Sequence, residues 1–202
     1  MLDILDELHA LHRDVGVPDG ADVVSVVVRR SYPADPADVW SALTDPDRIP
    51  RWFLPVTGDF REGGHFALEG NAAGDILTCT PPQLLRVTFG GPDSIVTLRV
   101  SVAGDDTVLE LAHTVPLAMA GSGAGALWVG PGWDAMFLAL AGHLAGEVPF
   151  DPADTSPAAL AVGRTSVDLW NAVITRSGTA TADEIDAATS MAAQQYADAG
   201  AT

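Results

Sequence analysis

Between residues 56 and 115 apolar and polar residues alternate in short runs, and turn signals separate consecutive runs by only a few positions. That spacing constrains the fold more than any other feature. Neighbouring parallel strands need a crossover of a dozen or more residues, whereas antiparallel strands close through tight hairpins. The segment therefore predicts an antiparallel meander. Glu62-Gly63-Gly64 reads as a turn before a strand over 65–69, and further strands are expected over 75–80, 84–89, 95–102 and 107–114. Ala103-Gly104-Asp105-Asp106 joins the last two as a hairpin, and Pro81-Pro82 interrupts the run before residue 84.

Both flanks of the meander change period. Val23–Arg30 is rich in β-branched residues and reads as a strand. Asp35-Pro36 then opens a helix through Val39, Trp40 and Leu43, with Asp35 as N-cap and Pro36 at the first helical position. Asp45-Pro46 breaks it, and a second short helix carries Ile49 to Trp52-Phe53. Beyond the meander, residues 116–132 are rich in Gly and Ala and predict a loop, whose Gly121–Gly125 stretch would suit a flexible lid. Trp133, Met136, Phe137, Leu140 and Leu144 then recur at three- and four-residue steps, a helix wide enough in its apolar face to fill a curved sheet.

The ends are expected to be appendages. Ile4, Leu5, Leu8, Leu11 and Val15 predict one amphipathic helix over 2–15, ended by Pro18-Asp19-Gly20. After Pro149 a linker over 151–157 leads to helices around 159–177 and 181–199, the latter opened by a Thr181/Glu184 capping box. The chain thus divides into an N-terminal helical appendage (1–20), a sheet-and-helix domain (21–148) and a helical extension (149–202). Trp170 and Tyr196 in that extension predict that it packs against something.

Charge narrows the partners. Ten Arg and no Lys stand against 27 Asp plus Glu, for a formal net charge of −17. Such a surface repels a nucleic-acid backbone or an anionic membrane. No window reaches the roughly 18 apolar residues of a membrane span, and Met1–Glu7 lacks a secretory leader pattern, so a cytoplasmic location is expected. Cys79 is the sole cysteine, which excludes an internal disulfide and a thiolate metal cluster. His9 and His12 are three apart with no third ligand in view, and no nucleotide-binding or hydrolase motif is present, so neither metal nor cofactor is expected.

Five stretches carry a family resemblance: PADPADVWSALTDPDRIPRWF (33–53), GDFREGGHF (58–66), GDILTCTPPQLLRVTF (74–89), TVLELAHT (107–114) and GPGWDAMFLALAGHLAGE (130–147). In order and spacing they resemble the SRPBCC/START-like superfamily of Bet v 1-like folds, and more narrowly its bacterial branch of Hsp-90 ATPase activator homologues. The resemblance covers residues 23–147 and implies an α+β helix-grip fold, a curved antiparallel sheet wrapped around a long helix. It also implies a cavity between the two. Three functions follow as expectations: binding of a small hydrophobic molecule, a cyclase or dehydratase acting on a polyketide-like or aromatic substrate, and a chaperone-interacting or regulatory role. A second copy of the chain is a further candidate partner.

Parity selects the candidate cavity residues. Leu109, Leu111 and His113 share a face of their strand, so His113 is the candidate acid–base catalyst as well as a ligand contact. Trp40, Trp52, Phe53, Trp128, Trp133 and Phe137 supply the aromatic walls. His143, ten residues after Trp133 and about 80° around the helix from it, falls at the edge of the apolar face. His65 is expected to face away from Phe66 and Leu68, Arg99 to face solvent, and Asp59 to pair with Arg61.

Overall fold

A computed structural model describes residues 3–18, 21–151 and 153–196. Eight antiparallel strands form one sheet in the order β1-β2-β8-β7-β6-β5-β4-β3. They are β1 (His12–Gly16), β2 (Val23–Tyr32), β3 (Val56–Gly58), β4 (His65–Leu68), β5 (Ala73–Thr80), β6 (Leu84–Thr88), β7 (Ile95–Ala103) and β8 (Asp106–Pro116). The expected meander is present, and β8 closes back onto β2 so that both ends of the domain meet mid-sheet. Gly104, at φ +65, supplies the left-handed turn of the β7–β8 hairpin.

Helix α1 (Ile4–His9) precedes β1, and α2 (Pro36–Thr44) with a 3-10 turn (Ile49–Arg51) links β2 to β3. Helix α3 (Leu117–Ala120) and a 3-10 segment (Gly123–Trp128) lead into α4 (Gly130–Leu144), the long helix of the grip. Helices α5 (Pro157–Ser177) and α6 (Ala182–Gln195) follow, α6 opened by the expected Thr181/Glu184 capping box. Asp35 is the N-cap of α2, though its side chain makes no capping hydrogen bond. The end of the helix expected to reach 199 lies outside the described residues, as do Asp19 and Gly20 of the expected N-terminal turn.

The core explains the long helix. β2 turns Val24, Val26 and Val28 inward, β8 does the same with Leu109 and Leu111, and Met136, Phe137 and Leu140 of α4 pack against this cluster. The Tyr32 hydroxyl donates to the Phe137 carbonyl at 3.2 Å, and the two rings stack. Leu138 and Ala141 are buried as well, so α4 is covered on every side. The extension accounts for this: α5 lies along α4, and α6 packs against both α5 and the 3-10 segment.

Two expectations are corrected. The single helix over 2–15 ends at His9, and residues 12–16 form an edge strand paired with β2. Leu8, Leu11 and Val15 fit helical spacing, but Leu11, Arg13 and Val15 also alternate, and all three are buried. Pairing with β2 satisfies a row of backbone groups that would otherwise form an open sheet edge. Nor is Gly121–Gly125 a lid. Gly123 and Ala124 are buried, and Gly123 donates its backbone N–H to Thr179 between α5 and α6, which pins the segment beneath the extension.

Candidate functional site

The inward faces of β4–β8, the end of α2, the 3-10 turn at Ile49 and helix α4 enclose a cavity of about 150 Å³. Strand register builds its walls. Leu85, Leu98 and Leu111 face one another in one cross-strand row, and Val87 and Val96 line the next, whose third member, His113, is set behind the wall. Aromatic rings close the remainder: Phe66 and Phe89 from the sheet, Phe60 before β4, Trp52 and Phe53 from the turn, and Trp133 from α4. Met136, Ile76 and Cys79 fill between them, and burial pushes the Cys79 thiol up from its ordinary pKa, so it stays protonated.

Trp52, Phe53, Leu111 and Trp133, four of the sequence candidates, line this space. His113 stands directly behind it, on the inward face as its strand parity requires but screened by Trp133 and Phe89. Leu109 and Phe137 lie in the solid core, Trp40 is half-buried on α2, and Trp128 is 54% exposed, so none of these four lines the cavity. Phe60, Phe66, Phe89 and Met136 also line it and are not among the cavity candidates the sequence offers, although Met136 falls on the expected apolar face of the long helix. For Phe66 the signal was present, because it alternates with exposed His65. His65 faces outward, Asp59 pairs with Arg61 and Arg99 faces solvent, each as expected, and His65 also pairs with Asp75.

The hydrogen bonds of His113 fix its chemistry. Trp133 Nε1 donates to His113 Nδ1 at 3.1 Å, and His113 Nε2 lies 2.8 Å from Ser94 Oγ. An indole can only donate, so Nδ1 carries the lone pair and the proton of the neutral ring sits on Nε2, directed at the Ser94 hydroxyl. Burial pushes the pKa of His113 down to about 4. The ring is therefore neutral at physiological pH, with neither nitrogen open toward the cavity.

A second histidine braces the cavity from outside. His143 Nε2 accepts from Arg48 Nε at 3.0 Å, and its ring stacks on Trp52 with centroids 6.4 Å apart. Arg48 also pairs with Asp38 at 2.6 Å, so the turn carrying Trp52 and Phe53 is tied to both α2 and α4. Burial, then the neighbouring Arg48 charge, lowers the His143 pKa.

Residues 33–145 match the family described as Activator of Hsp90 ATPase homolog 1-like protein. The chain belongs to this family. Among solved structures of similar fold, CalU16 from Micromonospora echinospora is 37% identical, with 82% of this chain and 98% of that one covered and a TM-score of 0.67. DynU16, from the dynemicin biosynthetic locus, is 26% identical over 65% of this chain and 49% of its own, at TM-score 0.52. A protein of unknown function from Enterococcus faecalis, EF2215, shares the fold at 14% identity, 84% and 95% coverage and TM-score 0.59. No curated protein matches the chain.

Around this Hsp90-activator-like domain the structure adds a buried cluster that sequence reading missed. Arg13 Nε bridges both oxygens of Asp134, at 3.1 and 3.0 Å, while Ser166 Oγ and Trp170 Nε1 donate to Oδ2 at 2.6 and 3.1 Å. Asp134 is 1% exposed. Burial pushes its pKa up to about 6, outweighing the opposing pull of Arg13 and the two other donors. Arg13, Ser166 and Trp170 all lie outside the matched residues, so the cluster ties β1 and α5 to the family domain. Among the described residues no His, Cys, Asp and Glu side chains gather into a metal-binding group, and no helix is long and apolar enough to cross a membrane.

Proposed function

We propose that this protein binds a small, apolar, ring-containing molecule in the cavity between sheet and long helix. One observation carries the reading: the lining is apolar and strongly aromatic, and its few polar side-chain groups are already committed within the protein. Trp52 Nε1 donates to the Ala42 carbonyl at 3.0 Å, Thr44 Oγ1 to the Trp40 carbonyl at 2.8 Å, and Trp133 Nε1 to His113. A space of about 150 Å³ is the size at which an apolar cavity takes up a single benzene-like ring. The occurrence of the DynU16 relative in a biosynthetic locus fits a metabolite as ligand.

The geometry favours binding over catalysis. General acid–base work needs a nitrogen within reach of the substrate, and both nitrogens of His113 are engaged away from the cavity. The described residues of the extension pack on α4 through the Asp134 cluster, and none of them lines the cavity.

The test is a methyl-NMR titration of the whole chain with toluene. Saturable shifts confined to methyls such as Val87, Leu98 and Leu111 are expected, in the sub-millimolar range for so few ligand atoms. Val87→Phe, which fills the space, should abolish them while leaving the melting transition in place. Shifts spread evenly over the protein, or none up to the solubility limit, would refute the reading. Native mass spectrometry of protein from its own cells reports both the natural ligand and the oligomeric state.

A further inference from the structure

We propose that His113 sets the ligand specificity of the cavity by withholding the Trp133 indole N–H from any guest. This rests on the cavity reading above. Among the described lining side chains only Thr44, Trp52 and Trp133 carry an O–H or N–H donor, apart from the weakly donating thiol of Cys79. Thr44 and Trp52 spend theirs on main-chain carbonyls of α2. Trp133 spends its own on a side chain, His113 Nδ1, so one residue governs whether the cavity offers an N–H or O–H donor.

The Ser94–His113 contact makes that cap durable. With its proton on Nε2 and directed at Ser94 Oγ, the imidazole presents a fixed lone pair to Trp133. His113 and Ser94 are 4% and 7% exposed, and neither lines the cavity, so a guest does not compete for either group. A carbonyl entering this space loses its water and finds no partner, whereas a hydrocarbon of the same shape loses nothing. The favoured ligand class is therefore an aromatic or polyene moiety whose buried part carries no oxygen or nitrogen. Polar substituents are accepted only where they remain outside the cavity.

Styrene and benzaldehyde test this, because they differ only in a terminal CH₂ or O on the same planar frame. The chain has no lysine to capture the aldehyde. Competition titrations on the intact protein should show styrene preferred by about tenfold or more. His113→Leu, which leaves the Trp133 N–H uncapped, should narrow that preference by about fivefold. His113→Gln, whose amide oxygen can accept from the indole, should restore it. Near-equal binding of the two guests to the native protein overturns the proposal, and that result does not depend on any variant folding. A ratio unchanged in His113→Leu overturns it as well, while leaving the cavity reading intact if styrene binds. If neither guest binds, the cavity reading and this inference fall together.

Discussion

Trp133 and Asp134 are consecutive residues of α4, yet they anchor two buried polar clusters of opposite character. Trp133 faces the sheet and joins a neutral relay with His113 and Ser94 behind an apolar cavity. Asp134, one residue and about 100° further round, faces away from it and holds Arg13, Ser166 and Trp170 where β1, α4 and α5 meet. The first cluster keeps polarity out of a space; the second fastens the ends of the chain to the central domain. A helix buried on all sides can serve both ends because each face solves its own hydrogen-bonding problem. The neutral relay commits every nitrogen without carrying charge. The charged cluster gives the buried carboxylate donors from three side chains, and two of the backbone carbonyls next to it, Leu8 and Leu11, receive the rest of the Arg13 guanidinium.

The largest expected effect breaks the charged side. Asp134→Ala strands the Arg13 guanidinium in the interior and should cost about 3–5 kcal/mol in urea denaturation. The double change Arg13→Met with Asp134→Leu should recover most of that loss, since no charge is left unpaired. Equal destabilisation by the single and double variants would contradict the account of the joint.

Acid distinguishes the clusters by sign. The pKa of His113 falls from 6.5 to about 4 on folding, so its contribution is complete above pH 6.5 and is lost as pH drops toward 4. The shift corresponds to about 3 kcal/mol. The pKa of Asp134 rises from 3.8 to about 6, so the cost of holding it ionised is relieved as pH falls through 6. The two slopes oppose each other, and native stability should vary little between pH 4 and 6 on their account. Removing one cluster at a time exposes the other. His113→Leu should gain stability toward acid relative to native protein, and the Arg13/Asp134 double variant should lose it. Parallel urea midpoints across pH 4–7 for all three proteins would sink the comparison.

The smallest effect concerns packing at the joint. A Cβ on Gly130 would stand 2.5 Å from the Trp170 ring, so Gly130→Ala should cost about 1–3 kcal/mol in thermal unfolding. Toluene binding should persist, because the strain falls on the far side of α4 from the cavity. Loss of binding in parallel with stability would mean that the two faces are not independent.

Much of the cavity wall was legible from strand parity. Leu111 and His113 face inward because a strand alternates its side chains whatever surrounds it. The same rule could not separate cavity from core: Leu109 and Leu111 share a face, but only Leu111 borders open space, and that depends on where Trp133 and Met136 of α4 stand. Trp128 looked like a wall for being aromatic near the helix, yet it ends a 3-10 segment whose buried face is Gly123, Ala124, Ala126 and Leu127.

The sequence by itself determined the antiparallel strands, the long apolar helix and the two further C-terminal helices, because these follow from periodicity, capping and turn chemistry within a few residues. Only the tertiary structure decided that residues 12–16 form a strand, that Arg13 pairs with Asp134 across 121 positions, and that His113 accepts the Trp133 indole N–H. Those outcomes depend on which groups meet once water is excluded, and a buried donor takes its acceptor from whatever the packing brings within 3 Å, however distant in the chain.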